Sequence, residues 1–220
     1  MKTSTTCGPL AVLAGIAFAS SANAGVISQA DLAEVSNQVI DVDGVSTTVS
    51  STPKRLQRKT VNGVTGMGIK GGNVNGEIDK YESMNFSFDA PVVVDGLTIA
   101  FLYDDGQFGD QPAEIARVVV DGDAYTLSVT GPTTAVWAGL GLVENISIAT
   151  EAGGGAWRVS GDDIFGGAIS SLTLESGNPG RKAKYADFSF VSLSTAVPAP
   201  GTAAMLGLGG LVAVRRRRSA

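Results

Sequence analysis

Glu77, Asp79 and Glu82 place three carboxylates within six residues, directly ahead of a strand pattern at 83–88, and Asp187 opens the last strand pattern of the middle region. Carboxylate oxygens, with loop carbonyls such as those near Asn73 and Asn75, are the ligands that a hard divalent cation takes, about six to eight at a time for Ca²⁺. Such a group of acids could therefore supply ligands to a divalent cation. The competing reading is that these acids keep a strand edge soluble. A second acidic group, Asp104-Asp105-Gly106 on to Asp110 and Glu114, lacks the fixed ligand steps of an EF-hand and reads as a turn. Paired carboxylates also hydrolyse glycosides when held about 5–9.5 Å apart, but nothing in the sequence picks out such a pair.

Trp137 and Trp157 are the only tryptophans. Trp137 lies between Val136 and Ala138 in a strand pattern and is expected in the core. Trp157 follows Gly153-Gly154-Gly155 in an expected loop, where an exposed ring would offer a sugar a stacking face, so it is the candidate ligand-binding residue. Histidine is absent from the chain, which excludes Ser-His-Asp triads, imidazole acid–base chemistry and the usual zinc sites. No catalytic residue is assigned, and the protein is expected not to be an enzyme. The run from Gly63 to Gly76 does not end in Gly-Lys-Ser/Thr, so it reads as a surface loop and not a phosphate loop. The basic cluster Lys54-Arg55-Leu56-Gln57-Arg58-Lys59 reads as a solvated connection.

These residues need a scaffold, and the composition points to a β one. Charged residues make up only 17% of the chain, and its 29 glycines are nearly twice the ordinary share of about 7%. Runs rich in Val, Ile, Thr and Phe recur at 44–50, 83–88, 92–103, 115–120, 124–130, 146–150, 156–160, 169–175 and 185–193, with no helical periodicity between them. Asp121-Gly122 marks a tight hairpin, and Asp95-Gly96 reads as another. Nine such strands predict an all-β fold, a single jelly-roll-like β-sandwich.

The two ends read differently. Lys2, the apolar run Leu10 to Phe18 and the Ala22-Asn23-Ala24 site before Gly25 form a secretory signal peptide over residues 1–24, too short in its apolar part to span a membrane. The only cysteine, Cys7, lies inside it, so the chain beyond it forms no internal disulfide. At the other end, Pro198-Ala199-Pro200 precedes an apolar stretch, Gly201 to Val214, and then Arg215, Arg216, Arg217 and Arg218. The stretch is shorter than the roughly 20 residues of a stable span, so it is expected to be a marginal transmembrane helix with its arginines held on the cytoplasmic side. Removing Lys2 and these four arginines leaves 11 of the 16 basic residues against all 21 acidic ones, a net charge of −10 that disfavours nucleic acid as a partner.

Pro-x-Pro, a short apolar helix and a terminal arginine cluster, in that order over residues 196–220, resemble the PEP-CTERM sorting signal of Gram-negative bacteria. Ala199 stands where that family carries Glu. The resemblance implies recognition by a membrane exosortase, cleavage near Pro198-Ala199-Pro200 and release toward the cell surface. The Glu77-Ile78-Asp79 and Ala186-Asp187-Phe188-Ser189-Phe190 stretches are also similar to exported carbohydrate-binding jelly rolls, in which a structural Ca²⁺ joins an early acidic strand end to an Asp of the final strand; the resemblance implies Glu77, Asp79 and Asp187 as the ligands of such a calcium. The expected organisation is a signal peptide (1–24), a β-sandwich domain (25–195) and a sorting tail (196–220). The expected partners are signal peptidase, cleaving after Ala24, the exosortase, the membrane through the transient tail helix, and polysaccharide. The expected location is the cell envelope, cell surface or extracellular matrix. A glycan-active hydrolase and a purely structural envelope protein are the alternatives.

Overall fold

Alternating apolar and polar residues form thirteen strands and no helix among the described residues of the computed structural model, which are 24–107, 112–147, 155–177 and 187–198. In chain order the strands are β1 (Ala24–Ser28), β2 (Asn37–Val42), β3 (Val45–Thr52), β4 (Leu56–Val61), β5 (Val64–Ile69), β6 (Ser83–Ala100) and β7 (Ile115–Val120). They continue with β8 (Asp123–Gly131), β9 (Thr134–Trp137), β10 (Leu142–Asn145), β11 (Trp157–Ser160), β12 (Ile169–Ser176) and β13 (Ser189–Ala196). Every pairing is antiparallel, and all the strands belong to one connected sheet.

The organising element is β6, whose 18 residues change partners along its length. Its first half lies between β3 and β12, and its second half between β13 and β11. The sequence divides this strand at Asp89-Ala90-Pro91, because proline gives no ladder donor. The chain nevertheless stays extended there: β3 pairing stops at Phe88, β12 shifts register between Ser171 and Ile169, and Pro91 falls in the gap where no donor is needed. The expected hairpin at Asp95-Gly96 is also overturned. Neither residue has a positive φ, and Gly96 is paired to Ser160 on one side and Ser194 on the other. Tertiary pairing on both edges overrides the local turn signal.

Three two-residue hairpins do form, at Asp43-Gly44, Asn62-Gly63 and Asp121-Gly122, each with both central residues at positive φ (47–51° and then 82–101°). That geometry matches the right-handed twist of the flanking strands. The Asp121 carboxylate also accepts the Ser170 and Ser171 amides at 3.0 and 2.8 Å, tying the β7–β8 turn to β12.

Two further expectations fail. Lys54 to Lys59 is not a free connection, because β4 starts at Leu56, and the Arg58 guanidinium donates to the carbonyls of Gln29, Ala30 and Leu32. Gly63 to Gly76 is not simply a surface loop, because β5 lies inside it with Met67 and Ile69 fully buried. The core takes residues from both halves of β6 and their neighbours, with Phe86 and Phe190 in ring contact at 5.1 Å between centroids.

Candidate functional site

Two isolated bridges build the acidic site. Beyond β5, Ile69 donates to the Glu77 carbonyl at 3.0 Å, and Ile78 then donates to the Phe188 carbonyl at 2.6 Å. Ile78 and Phe188 are fully buried on one side of this short extended pair. Side chains alternate along an extended chain, so Glu77, Asp79 and Asp187 share the other side, and Asp79 lies opposite Asp187. A turn closed by the Glu82 amide on the Asp79 carbonyl (3.1 Å) brings in the fourth carboxylate, which accepts the Asp79 amide at 3.1 Å. Glu77, Asp79, Glu82 and Asp187 are all buried, at 2–6% exposure.

Four buried carboxylates face few cations. The Lys59 amine pairs with Glu77 and also lies 5.1 Å from the Phe101 ring centroid, and Lys54 acts on Glu82 from farther off. Loss of water pushes the Glu77 carboxyl up to about 7, with the Asp187 charge adding and the Lys59 ion pair opposing. Burial also pushes Glu82 up to about 7, with the charge of Asp79 adding to it. Asp79 is raised by the same desolvation, which backbone amides partly offset. Asp187 acts on Glu77 and Asp79 on Glu82, so each raised glutamate has another acid beside it that makes its charge costlier.

The glycine-rich stretch now has a local reason. The Asn73 amide, with that of Val74, donates to the Asp79 carboxylate. Gly72, at φ +66°, lies so close to that carboxylate that a Cβ would overlap it. The loop wraps the acid, which leaves a backbone cradle beside the cluster. Among the described residues no group of three or more acidic side chains is arranged as a ready-made metal site.

The structure places Glu77, Asp79 and Asp187 near one another, with Glu82 and Lys59 beside them. It overturns the assignment of Trp157. That residue is in β11, paired to Ile99 and Asn145, 1% exposed, with its ring nitrogen donating to the Leu102 carbonyl at 2.8 Å, so it offers no face to a ligand. The three preceding glycines suggest a loop, but Gly155 is held to β6's outgoing chain by the Leu102 amide (3.0 Å), and the strand begins two residues later. Trp137 is core as expected, stacked on Tyr125 at 5.8 Å and edge-on to Phe165. Asp104 to Gln107 form an ordinary turn (3.2 Å), and Glu114 is buried with its carboxylate on the Tyr103 amide; Asp110 is outside the described residues.

The aromatic ring that the site does present is Tyr81. It is 84% exposed, has φ +68°, and carries the Lys80 amine 4.6 Å above its ring centroid. A bulky residue in the left-handed region carries a cost of roughly 1–2 kcal/mol, which the Asp79–Glu82 turn imposes while it folds both carboxylates inward and turns the ring out. No sequence pattern marks Tyr81, because only the turn decides where it points.

At the ends of the described chain, Ala24 and Gly25 open β1, and Pro198 is exposed two residues beyond β13. The rest of the expected signal peptide, Ala199, Pro200, the apolar segment and Arg215 to Arg218 lie outside the described residues, as do 148–150 and 185–186 of two expected strands. No protein-family model matches the chain, and no curated protein matches it.

Proposed function

We propose that this chain is an exported, non-enzymatic cell-surface or extracellular-matrix protein whose domain, a jelly-roll-like β-sandwich, binds Ca²⁺ in its acidic cluster and contacts polysaccharide through Tyr81. The exposed Tyr81 ring, set out by the same turn that buries Asp79 and Glu82, carries this reading. A sugar's apolar face can stack on it while its hydroxyls meet the polar rim around Lys80. Two layers around one core are supported by the Phe86–Phe190 contact between strands from either half of β6. The cation would be held by Glu77, Asp79, Glu82 and Asp187 with carbonyls of the Gly72 loop, and it would neutralise carboxylates that otherwise need protons. Signal peptidase would release the chain after Ala24. An exosortase would cut near Pro198-Ala199-Pro200, with Arg215 to Arg218 setting the topology of the transient membrane helix.

A hydrolase is supported less well, because its two carboxylates must flank a substrate, and these four are buried. Pull-down on a panel of insoluble polysaccharides, with the Tyr81→Asn protein beside the parent, tests the reading. Asn tolerates the same backbone conformation, so melting should stay within about a degree while retained protein falls about tenfold or more. Release of reducing sugar by the parent would instead establish the hydrolase. No retention and no sugar release would leave the structural envelope protein.

A further inference from the structure

The start of β1 lies in an acidic pocket of its own. Ala24 pairs with Ala196 and Gly25 with Thr195 across the β1–β13 ladder. The Gln29 amide donates to the Val191 carbonyl at 2.7 Å, and hydrogen-bonded pairs recur at every second residue, so the Gly25 N–H points at the Thr195 carbonyl. The face of Gly25 turned away from β13 meets β2 and its hairpin. A Cβ there would overlap the Val42 side chain and come within 3.0 Å of an Asp43 carboxylate oxygen. Ala24, Gly25 and Val26 line one side of this pocket, and Asp31, Asp41 and Asp43 line the others, with no lysine or arginine among its lining residues. Asp31 is engaged by the Ser28 amide and hydroxyl (2.8 and 2.6 Å), and Asp41 accepts the Gly44 amide at 3.2 Å. Asp43, at the first position of the hairpin turn, is the acid facing Gly25.

We propose that hydrolysis of the Ala24–Gly25 bond makes the pocket's cation: the new α-ammonium of Gly25, held beside Asp43 within reach of Asp31 and Asp41, locks β1 onto the sheet. Signal peptidase adds one water across the amide, so Ala24 leaves as a carboxylate and Gly25 gains a protonated amine. A neutral backbone nitrogen becomes a positive charge in a pocket lined by three acids, of which Asp43 is the one against Gly25, where an exposed pair acts within a Debye length of about 8–10 Å. The ammonium keeps a proton for the Thr195 carbonyl, so the ladder is preserved. Glycine suits the position because any side chain would strike Val42. Facing groups from β13, Thr195 and Ala196, are uncharged, so nothing on that strand opposes the cation.

This rests on the signal-peptide reading, and one sample separates the two claims. The protein is recovered after export from the full chain, and its intact mass and first residue are determined. The α-amine is then titrated by its pH-dependent acylation rate, in the parent and in Asp43→Asn. Asn-Gly is as good a hairpin turn as Asp-Gly, so the variant keeps the fold. The expected result is a first residue of Gly25 and a midpoint at least about half a unit above the ordinary α-amino range of about 7.7–8.0, falling back toward it in Asp43→Asn. A Gly25 terminus with the ordinary midpoint in both proteins overturns the docking. Any other first residue overturns the signal-peptide reading and the docking with it.

Discussion

In EDTA the domain should melt lower at pH 8 than at pH 5, and Ca²⁺ should restore the stability lost at pH 8. Glu77 and Glu82 titrate near 7 in the folded protein but near 4.5 when unfolded, so between those values the native state holds protons that the unfolded chain has released. Their protonation therefore stabilises the fold fully below about pH 4.5, and that contribution is lost as pH rises through about 7. A shift of one unit is about 1.4 kcal/mol, so Glu77 alone corresponds to about 3 kcal/mol. At about 2–4 °C per kcal/mol for a chain of this size, the melting point should fall by roughly 6–12 °C. A cation held by the four carboxylates takes the place of those protons. At a free concentration 100 times its Kd it contributes about 2.7 kcal/mol, enough to flatten most of the slope at pH 8. Melting curves at pH 5, 6.5 and 8, with EDTA or with Ca²⁺, measure this directly. Glu77→Gln should lose Glu77's share of the slope, leave that of Glu82, and lose most of the Ca²⁺ response. A pH slope without any Ca²⁺ response would leave the buried acids and remove the metal. No slope in EDTA would remove the coupling itself.

The acids were legible in the sequence because their spacing is local, one turn ahead of a strand, and because Asp187 begins the strand that meets them. Lys59 and Tyr81 were not, since one reaches the site from across β5 and the other owes its direction to a backbone turn. The same division runs through the fold. β7 is legible to the residue and β12 to within one, because buried apolar residues recur at every second position, throughout β7 and from Leu172 to Leu174 in β12. β4 was missed because only Leu56 is buried among six largely polar residues, and β2 because none of its residues is fully buried. β5 was hidden by Gly66 and Gly68, which look like loop residues but are there because a Cβ would overlap Ser189 at one and the Gly76–Glu77 backbone at the other. Close approach of two chains is a tertiary fact, and a single chain's pattern carries no trace of it. β6 fails in the opposite direction: local signals divide it twice, at Pro91 and at Asp95-Gly96, and pairing on both sides holds it straight.

Trp157→Ala should be the most destabilising single truncation of an aromatic residue in the domain, at about 3–5 kcal/mol, or a melting point lower by roughly 10 °C or more. The ring is 1% exposed among residues of β6 and β11, with no solvent face into which the cavity could collapse. Trp157→Phe separates packing from polarity. It keeps most of the apolar volume but deprives the Leu102 carbonyl of the indole N–H, so about 1–3 kcal/mol is expected from that group alone. Polysaccharide retention decides between this structural account and a ligand role for the same residue. Assayed well below the melting point, Trp157→Phe should retain the parent's binding and Tyr81→Asn should not. The reverse pattern, binding lost in Trp157→Phe with an unchanged melting point, would mean that β11 opens to present its tryptophan. That opening would have to break the Trp157 ladder to Ile99 and Asn145, which is why the stability and binding measurements on one variant settle the question together.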